Sequence, residues 1–326
     1  MSEGDGRPTI EILSPGILTS VQDRGRLGYQ SLGIAESGAM DTFSFVAANR
    51  LIGNPDNSAC LEITLLGPKI RFLATTWGSL TGANLSARLN NRTLNVGTAF
   101  KAEVGDILAF GPRVYGMRAY LAFEGGIDVP ALLGSRSTYV YAGFGGYEGR
   151  SLRKDDILSV LKPEVSDGPV LEGLPSDFQI RQTPLSTIRV IIGPHEDRFT
   201  SEGFQTFLSS PYVLMSESNR MGYRLKGPRI THRESPVVVS EATPLGAIQV
   251  PGEGNPVILL RERGTTGGYA KIGCVITADL DVLAQIFPGE EIYFRSVDLE
   301  TAHRVDRDRW EGLGKWRTGR QNILGN

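Results

Sequence analysis

Charged and hydroxyl side chains are concentrated on four glycine-dense turns of this chain. Glycine has no Cβ, so the backbone at such turns can approach a ligand closely and point its N–H groups at it. Side chains next to these glycines would then contact the same ligand. The pattern predicts a small-molecule site that is built from turns. The four turns cover residues 22–26, 37–41, 219–224 and 264–271.

Two cations and two carboxylates on these turns are the candidates for catalysis. Arg220 and Lys271 carry positive charge that suits a carboxylate or a phosphate. Asp23 or Asp41 could bind Mg²⁺ or take a proton, and the sequence does not separate the two. Alternatively, each turn could be a tight β-turn in which Arg and Asp pair, and Asp41 could serve only as a helix cap.

Most other residues of the turns are candidates for substrate binding. Backbone N–H groups beside glycine, notably in 267–268 and 37–38, would donate to developing negative charge. Threonine hydroxyls would add donors, and tyrosine rings would form a flat wall with a polar tip. The predicted binding residues are Gln22, Ser37, Gly38, Met40, Tyr223, Thr265, Thr266, Gly267, Gly268 and Tyr269.

Several common catalytic signatures are absent from the sequence. The histidines, His195, His232 and His303, lie far apart without the spacing of metal ligands, so we predict no metal site. There is no G-x-x-x-x-G-K-[ST] phosphate loop and no G-x-S-x-G nucleophile turn. The glycine-rich stretch 143–147 lacks the flanking strand, lysine and helix of a nucleotide site, so we interpret it as a loop.

The composition is typical of a protein of the reducing cytosol. The 326 residues include 34 Lys and Arg against 36 Asp and Glu, and this balance argues against a nucleic-acid partner. Cys60 and Cys274 are too few for a disulfide framework. No signal-peptide pattern opens the chain, and no apolar run approaches the roughly 20 residues of a membrane span. We expect a cytoplasmic protein that does not bind membranes.

The distribution of glycine indicates a mainly β fold with few short helices. Forty glycines and many short apolar runs broken by Gly, Pro, Asn and Asp are typical of strands joined by turns. The sequence predicts helices at 41–51, capped by Asp41, at about 201–208, and at 279–286, capped by Thr277 or Asp279.

The two halves of the chain contain similar blocks in the same order, which predicts an internal repeat of two related domains. Ligand sites often lie at the seam between such domains. Each half also ends in a similar strand, 104–110 in the first and 288–294 in the second. The paired blocks are 26–29 with 220–223, 37–41 with 245–249, and 53–55 with 254–256.

Proline content sets the predicted domain boundaries. Residues 161–186 contain four prolines and few apolar runs, which predicts a linker or surface wrap. The first domain then covers 9–160 and the second covers 187–300. The charged, glycine-containing tail at 301–326 is expected to fray.

Long stretches of the chain resemble the allophanate hydrolase subunit 2 family. The resemblance extends from about residue 10 to residue 297 with its blocks in the family's order. It implies two cyclophilin-like β-barrels, which agrees with the repeat. The blocks that carry it include 14–26, 37–41, 61–62, 81–83, 125–130, 134–138, 219–225, 246–251 and 265–272.

The family resemblance also implies a function. It implies the C subunit of a bacterial ATP-dependent 5-oxoprolinase, which opens 5-oxo-L-proline to L-glutamate together with subunits A and B. ATP and Mg²⁺ would be shared with, or bound by, a partner subunit, and the isolated chain would be inactive. In this reaction Arg220 and Lys271 would bind the phosphate or the substrate carboxylate.

Two other functions remain open on the sequence alone. The chain could be a carboxyltransferase-type module of a biotin-dependent urea or amide carboxylase or allophanate hydrolase system, with the ureido ring of biotin in the same pocket. The chain itself has no Met-Lys biotin acceptor. It could also be a non-catalytic regulatory partner of a subunit-B-like kinase inhibitor.

Overall fold

The computed structural model describes residues 7–161, 173–179 and 186–321, and it is mainly β as the sequence predicts. The chain divides into two compact units. The first contains Met1–Arg26 and Ser37–Gln182, and the second contains Leu27–Glu36 and Thr183–Asn326. The short segment Leu27–Glu36 therefore belongs to the unit that the second half of the chain builds.

Two antiparallel sheets build the first unit. Its strands are β1 (Arg7–Ser14), β2 (Leu18–Gln22), β3 (Cys60–Thr64), β4 (Lys69–Phe72), β5 (Thr76–Asn84), β6 (Arg88–Leu89), β7 (Arg92–Thr93), β8 (Thr98–Ala102), β9 (Ile107–Ala109), β10 (Tyr115–Phe123), β11 (Ile127–Asp128) and β12 (Ile157–Val160). One sheet has the order β11-β12-β1-β4-β9-β6-β7, and the other has the order β2-β3-β10-β5-β8.

Inward-facing side chains of these sheets form one hydrophobic core. Ile10 and Ile12, two positions apart on β1, are both fully buried, as the period of a strand requires. The ring of Phe72 packs edge-on against Phe100 and Phe123, with centroids 6.5 and 6.2 Å away. Burial of such side chains is the main stabilising contribution to a β unit of this kind.

The predicted helix after Asp41 is confirmed as α1 (Thr42–Leu51). The Asp41 carboxylate accepts a hydrogen bond from the Ser44 N–H group at 2.8 Å and so caps the first turn. The Ser79 hydroxyl on β5 donates to the Ala48 carbonyl at 2.6 Å, which fixes the helix to the sheet. These contacts place the 37–41 turn against the sheet.

A closed barrel of strands β13-β20-β17-β18-β15-β14-β21 forms most of the second unit. β13 and β21 pair in parallel and close the barrel, whereas the other pairs are antiparallel. β16 and β19 pair with each other as a separate two-stranded sheet. The strands are β13 (Ser186–Ile192), β14 (Tyr212–Leu214), β15 (Gly222–Lys226), β16 (Val237–Ala242), β17 (Ala247–Gln249), β18 (Val257–Leu259), β19 (Thr266–Tyr269), β20 (Lys271–Val275) and β21 (Glu291–Ser296).

The helices of the second unit agree in part with prediction. α2 (Ser201–Ser209) forms where expected. α3 (Thr277–Leu283) begins earlier than predicted, and its N-cap is Ile276, whose side chain makes no capping hydrogen bond. The predicted cap by Thr277 or Asp279 is therefore wrong. Asp279 instead forms an ion pair with Arg189.

The charged tail does not fray at its start but forms helix α4 (Leu299–Gln321). Leu313 is fully buried, and Arg309 forms an ion pair with Asp281 at 2.7 Å. These two contacts, a buried apolar side chain and an ion pair to α3, explain why the segment is helical although its charged composition predicts fraying. α4 is not long and apolar enough to cross a membrane, nor is any other helix among the residues described.

The first pair of repeated blocks differs in local structure, and residues 27–29 of the earlier block belong to the second unit. Residues 26–29 lie in a turn, whereas residues 222–223 already belong to β15. The closing strands do match, because Gly105 and Gly289 have φ values of 90° and 94° and each precedes a strand, β9 or β21. Left-handed glycines also match within two pairs of blocks, because Gly38 and Gly246 have φ values of 87° and 85°, and Gly53 and Gly254 have φ values of 75° and 78°. The similarity is therefore visible in these blocks as well as in the closing strands.

Most of the predicted linker at 161–186 lies outside the described residues. Residues 173–179 are described and belong to the first unit. The Leu174 N–H group donates to the Gly97 carbonyl at 2.6 Å, and the rings of Phe178 and Phe43 are 5.8 Å apart. Short 3₁₀ turns occur at Ser176–Phe178, Gln30–Leu32 and Glu196–Arg198.

Candidate functional site

The predicted site residues fall into two groups, one in each unit. The first unit contains Gln22, Asp23, Ser37, Gly38, Met40 and Asp41. The second contains Arg220, Tyr223, Thr265, Thr266, Gly267, Gly268, Tyr269 and Lys271.

Asp23 is the centre of a closed hydrogen-bond network in the first unit, which we call the Asp23 cluster (Asp23, Gly25, Ser135, Arg136 and Ser137). The carboxylate accepts from the Gly25 N–H group at 2.8 Å, the Ser135 hydroxyl at 2.7 Å and the Arg136 N–H group at 2.6 Å. It also accepts from the Ser137 hydroxyl. With four donors on two buried oxygens, Asp23 anchors two loops to each other, and this favours a structural role.

Asp41 and Met40 border a buried network that sequence reasoning missed. The Met40 N–H group and the Tyr120 hydroxyl both donate to Glu62 Oε2 at 2.8 Å. The Tyr120 hydroxyl also accepts from the Asp41 N–H group at 2.7 Å. Burial raises the pKa of Tyr120 well above its ordinary value, and the nearby Glu62 and Asp41 carboxylates raise it further. The charge of Glu62 faces Arg118, with Nε and Oε1 3.8 Å apart.

The signal for this network was weak in the sequence. Glu62 lies on β3, and its block, 61–62, contributes to the family resemblance. A lone acidic residue between apolar neighbours in a strand is a hint of a buried, paired charge. Its partner Tyr120 is on β10 and could not be paired with it from sequence alone.

Ser37 and Gly38 form a tight turn next to Gln22. Both residues have left-handed backbones, with φ values of 55° and 87°. The Gly38 N–H group donates to Gln22 Oε1 at 3.2 Å, and a Cβ at Gly38 would lie 2.8 Å from the backbone of Gly25. The buried Ser37 hydroxyl has no hydrogen-bond partner among the described residues. Of the first group, Ser37 therefore has the geometry that best suits a ligand.

Lys271 is a buried amine whose charge is balanced by one carboxylate on the edge of the unit. It begins β20 and is 3% exposed. Its Nζ donates to Glu241 Oε1, and the Glu241 side chain is 44% exposed. The hydrogen bond from Lys271 holds the pKa of Glu241 below its ordinary value. The ion pair thus joins an enclosed cation to an anion that solvent reaches.

His195 completes what we call the Lys271 cluster (Lys271, Glu241 and His195). The Lys271 N–H group donates to His195 Nδ1 at 3.0 Å. Because Nδ1 accepts, the ring proton of neutral His195 is on Nε2, which lies 3.3 Å from Glu241 Oε1. One carboxylate oxygen therefore meets both the amine and the imidazole. This arrangement can bind an anion and can pass a proton between two nitrogen bases.

The carboxylate is carried by the small β16–β19 sheet, which also contains most of the predicted binding turn. Thr266, Gly267, Gly268 and Tyr269 form β19, and Gly267 is the register partner of Glu241 on β16. The residues of β16 are largely exposed. The small sheet therefore has fewer buried contacts than the barrel strands, and Glu241 lies on its exposed strand.

Arg220 forms a second buried ion pair in this unit. Its Nε donates to Glu262 Oε1 at 2.7 Å, with both side chains buried. Tyr223, on β15, is also fully buried and so cannot present the exposed ring face that the sequence predicts. Loss of Arg220 would take the charged partner from buried Glu262, which destabilises proteins by about 3–5 kcal/mol. The geometry therefore favours a structural contribution from Arg220.

Neither Glu241 nor His195 was predicted from the sequence. They lie 30 and 76 residues from Lys271, and no motif joins the three. The pairing of β16 with β19 brings Glu241 to this place, and the end of β13 brings His195. A pattern search by residue type finds neither, because the contacts depend on how the barrel closes.

Two cavities are not lined by Lys271, Glu241 or His195, although the second borders His195 through its sequence neighbours Pro194 and Glu196. One, of about 800 Å³, is lined by Arg88 and Tyr115 among others in the first unit. The other, of about 710 Å³, is lined by Thr200 and Arg233 among others in the second unit. Neither is lined by a predicted site residue. The Lys271 cluster joins a buried cation, a carboxylate and an imidazole around a predicted site residue, so we take it as the candidate site.

Comparisons with known proteins place the chain among carboxyltransferase-like proteins. Residues 32–296 match the model of the carboxyltransferase domain, subdomain A and B. The chain is 38% identical to the C subunit of 5-oxoprolinase from Escherichia coli (strain K12), over 96% of this chain and 100% of that protein. It is 37% identical to urea amidolyase of Lachancea kluyveri, over 91% of this chain and 17% of that protein.

A solved structure supports the same grouping. The fold is similar to that of the K. lactis urea amidolyase, with a TM-score of 0.89 and 34% identity, over 96% of this chain and 20% of that chain. This chain therefore spans the full length of one relative but only about a fifth of the urea amidolyases.

Proposed function

This chain belongs to the family of the carboxyltransferase domain, subdomain A and B, and on this basis we propose that it is the C subunit of an ATP-dependent 5-oxoprolinase. In that role it opens 5-oxo-L-proline to L-glutamate together with subunits A and B. The observation that carries the proposal is the match over 100% of a relative that is itself the C subunit of a 5-oxoprolinase. The urea amidolyases are much longer proteins, of which this chain corresponds to one part.

The Lys271 cluster supports this function because its charge suits an acidic lactam. 5-Oxoproline has a carboxylate beside its lactam ring, and phosphorylation of the lactam oxygen adds further negative charge. A buried ammonium group interacts strongly with such anions because water does not screen it. At rest Glu241 neutralises Lys271, and its partial exposure lets a substrate anion take its place.

The first unit contains a separate candidate for substrate binding. We assign this role to Ser37 and Gly38, since their turn has a buried hydroxyl with no partner among the described residues and a left-handed backbone. Asp23 and Asp41 act as anchors in this proposal, because their carboxylates already accept hydrogen bonds from neighbouring residues. Proton transfer then falls to the Lys271 cluster, in which His195 contacts both of the other members.

ATP and Mg²⁺ are, in this proposal, shared with or bound by a partner subunit in the cytoplasm. Within 7–161, 173–179 and 186–321, no group of three or more His, Cys, Asp or Glu side chains is placed to hold a metal ion. The isolated chain is expected to show no turnover.

The test is glutamate release from 5-oxoproline and ATP by this chain mixed with subunits A and B of a 5-oxoprolinase from the same organism. Each component is left out in turn. We expect release only when all three proteins and ATP are present. Release without this chain, or none from the complete mixture, would contradict the proposal.

A second function has support from the urea amidolyases. The sequence relative from Lachancea kluyveri is 37% identical to this chain, and the solved K. lactis structure has a TM-score of 0.89 at 34% identity. As a carboxyltransferase module, the chain would bind the ureido ring of biotin at the Lys271 cluster. Carboxylation of urea that depends on a biotinylated carrier and on this chain would support that function. The same mixture would then release no glutamate from 5-oxoproline.

A further inference from the structure

Gln249 is a buried side chain whose amide nitrogen has no hydrogen-bond partner among the described residues. The residue ends β17 and is 7% exposed. Its Nε2 makes no hydrogen bond to any residue that the structure describes. An unpaired buried donor destabilises a fold, and most buried polar groups in proteins are paired. An exception of this kind often marks a place where a ligand supplies the partner.

This amide lies within reach of the Lys271 cluster. Gln249 and Lys271 are register partners in the β17–β20 pair, at the point where that pairing has a bulge. The Gln249 amide also faces Gly267, which is the register partner of Glu241 on β16. The neutral donor and the Lys271–Glu241 ion pair therefore lie at the same end of these strands.

Gly267 leaves the space that the amide occupies. A Cβ at this position would lie 2.6 Å from Gln249 Nε2 and 3.0 Å from Thr243 Cγ2. Gly267 does not have a left-handed φ, so its backbone conformation does not require glycine. The space that the Gln249 carboxamide needs is what favours glycine at this position. The predicted binding turn is thus connected directly to the unpaired amide.

The chemistry of a carboxamide identifies the group it would bind. In a five-membered lactam the C=O and N–H groups lie on the same edge of the ring. A glutamine carboxamide presents one donor and one acceptor side by side, so it matches that edge with two hydrogen bonds. The cyclic urea of biotin has the same edge, but it has no carboxylate close to its ring.

We propose that the Gln249 carboxamide binds the lactam edge of the substrate while Lys271 binds the substrate carboxylate. This assignment rests on the proposed 5-oxoprolinase function. It makes Gln249 the residue that selects a lactam over an open or reduced analogue. It also explains why a buried donor is left unpaired in the resting chain.

The main variant is Gln249→Met, which keeps the volume of the side chain and removes both polar atoms. In the assembled enzyme we expect KM for 5-oxoproline to rise about ten- to a hundredfold, with a smaller change in kcat. In the isolated full chain we expect Tm to rise by roughly 2–4 °C, because an unpaired buried donor is removed. Gly267→Ala should raise KM in the same direction by displacing the amide.

The matched control is Gln285→Met. Gln285 is buried to a similar degree, at 6% exposure, but is not without a partner. We expect this variant to lower Tm and leave KM unchanged. A Gln249→Met enzyme with unchanged KM, or with a Tm that falls as in the control, would overturn the proposal.

Binding to the isolated full chain separates this proposal from the proposed function. Calorimetry would compare the binding of 5-oxoproline with that of two analogues. Proline lacks the lactam carbonyl of the ring, and 2-imidazolidinone is a cyclic urea without a carboxylate. We expect 5-oxoproline to bind most tightly and Gln249→Met to lose the preference over proline. Preference for the cyclic urea, or a preference over proline that survives the substitution, would overturn the lactam assignment. Failure of the function itself would appear as no glutamate release from the wild-type mixture.

Discussion

The Asp23 cluster and the Lys271 cluster each have a buried charged group at their centre, but the two groups differ in how their charge is balanced. In the Asp23 cluster a buried carboxylate accepts four hydrogen bonds from groups on the same unit. In the Lys271 cluster a buried amine is held by a carboxylate whose side chain is 44% exposed. The unpaired Gln249 amide lies beside it.

This difference separates anchoring from binding more clearly than residue type does. A carboxylate that already accepts four hydrogen bonds gains little from a ligand and loses much if its partners move. An amine whose counter-ion reaches solvent can exchange that partner at low cost. Asp23 and Lys271 both lie on glycine-dense turns, so only the contacts of each group reveal which one can react.

The largest expected effect is the loss of activity in Lys271→Met. We expect kcat/KM of the assembled enzyme to fall about a thousandfold, because a buried charge that binds the substrate anion is removed. Tm should change little, since the methionine fills the same space. The control is Lys226→Met, which changes an exposed lysine on β15. An equal fall of kcat/KM in both variants would contradict the binding role that we assign to the Lys271 cluster.

The converse test applies to the Asp23 cluster. Asp23→Asn should lower the free energy of unfolding by about 3 kcal/mol, because a buried oxygen that accepts charged hydrogen bonds becomes a donor. Asp41→Asn is the matched control, and it should cost less than about 1 kcal/mol since asparagine caps helices almost as well as aspartate. Urea unfolding measures both. An Asp23→Asn protein that is as stable as wild type but inactive would show that Asp23 is catalytic after all.

His195 offers a smaller effect with a matched pair of substitutions. Asparagine can keep the acceptor that receives the Lys271 N–H group, whereas glutamine extends further and can keep the contact with Glu241. If proton transfer passes through Nε2, His195→Asn should lower kcat about tenfold and flatten the pH profile. His195→Gln should also flatten it, because neither amide titrates. An unchanged pH profile in both variants would limit His195 to packing.

The smallest expected effect is the acid dependence of the Lys271–Glu241 pair. The pKa of Glu241 is lowered in the folded chain, so the pair contributes fully above the ordinary value of 4.5 and is lost as the pH falls through the lower, folded-state pKa. Glu241→Gln should therefore reduce the loss of stability below pH 4.5, by less than about 1 kcal/mol. Glu234→Gln, which removes a pair between exposed side chains, is the control. A larger acid effect from the control would contradict this assignment.

The sequence predicts well those features that depend on local pattern. Asp41 precedes a run of helical periodicity, so both the cap and α1 follow from it. Glycine-rich breaks between short apolar runs predict strands, and the structure is mainly β. α4 is the counter-example, because its composition is charged and its order depends on a contact of Arg309 with Asp281 that the local pattern does not contain.

The candidate site is predicted only in part, for a physical reason. Lys271 is visible as a cation next to glycines, yet its partners depend on strand pairing between distant segments. Burial is equally hidden, since Tyr223 follows a glycine turn in the sequence but is enclosed in the barrel unit. Residue type thus identifies groups that can react, whereas the pairing of strands decides which of them are free to do so.

The parallel pairing of β13 with β21 has a consequence for biosynthesis. The pair joins Ser186–Val190 to Ile292–Ser296, so the first barrel strand must wait for the last one before the ring can close. During translation β13 leaves the ribosome with an unpaired edge until about a hundred further residues have followed, and exposed edges promote aggregation. Contacts of such long sequence separation also slow folding. Chains truncated before β21 should therefore depend on chaperones and accumulate as insoluble protein.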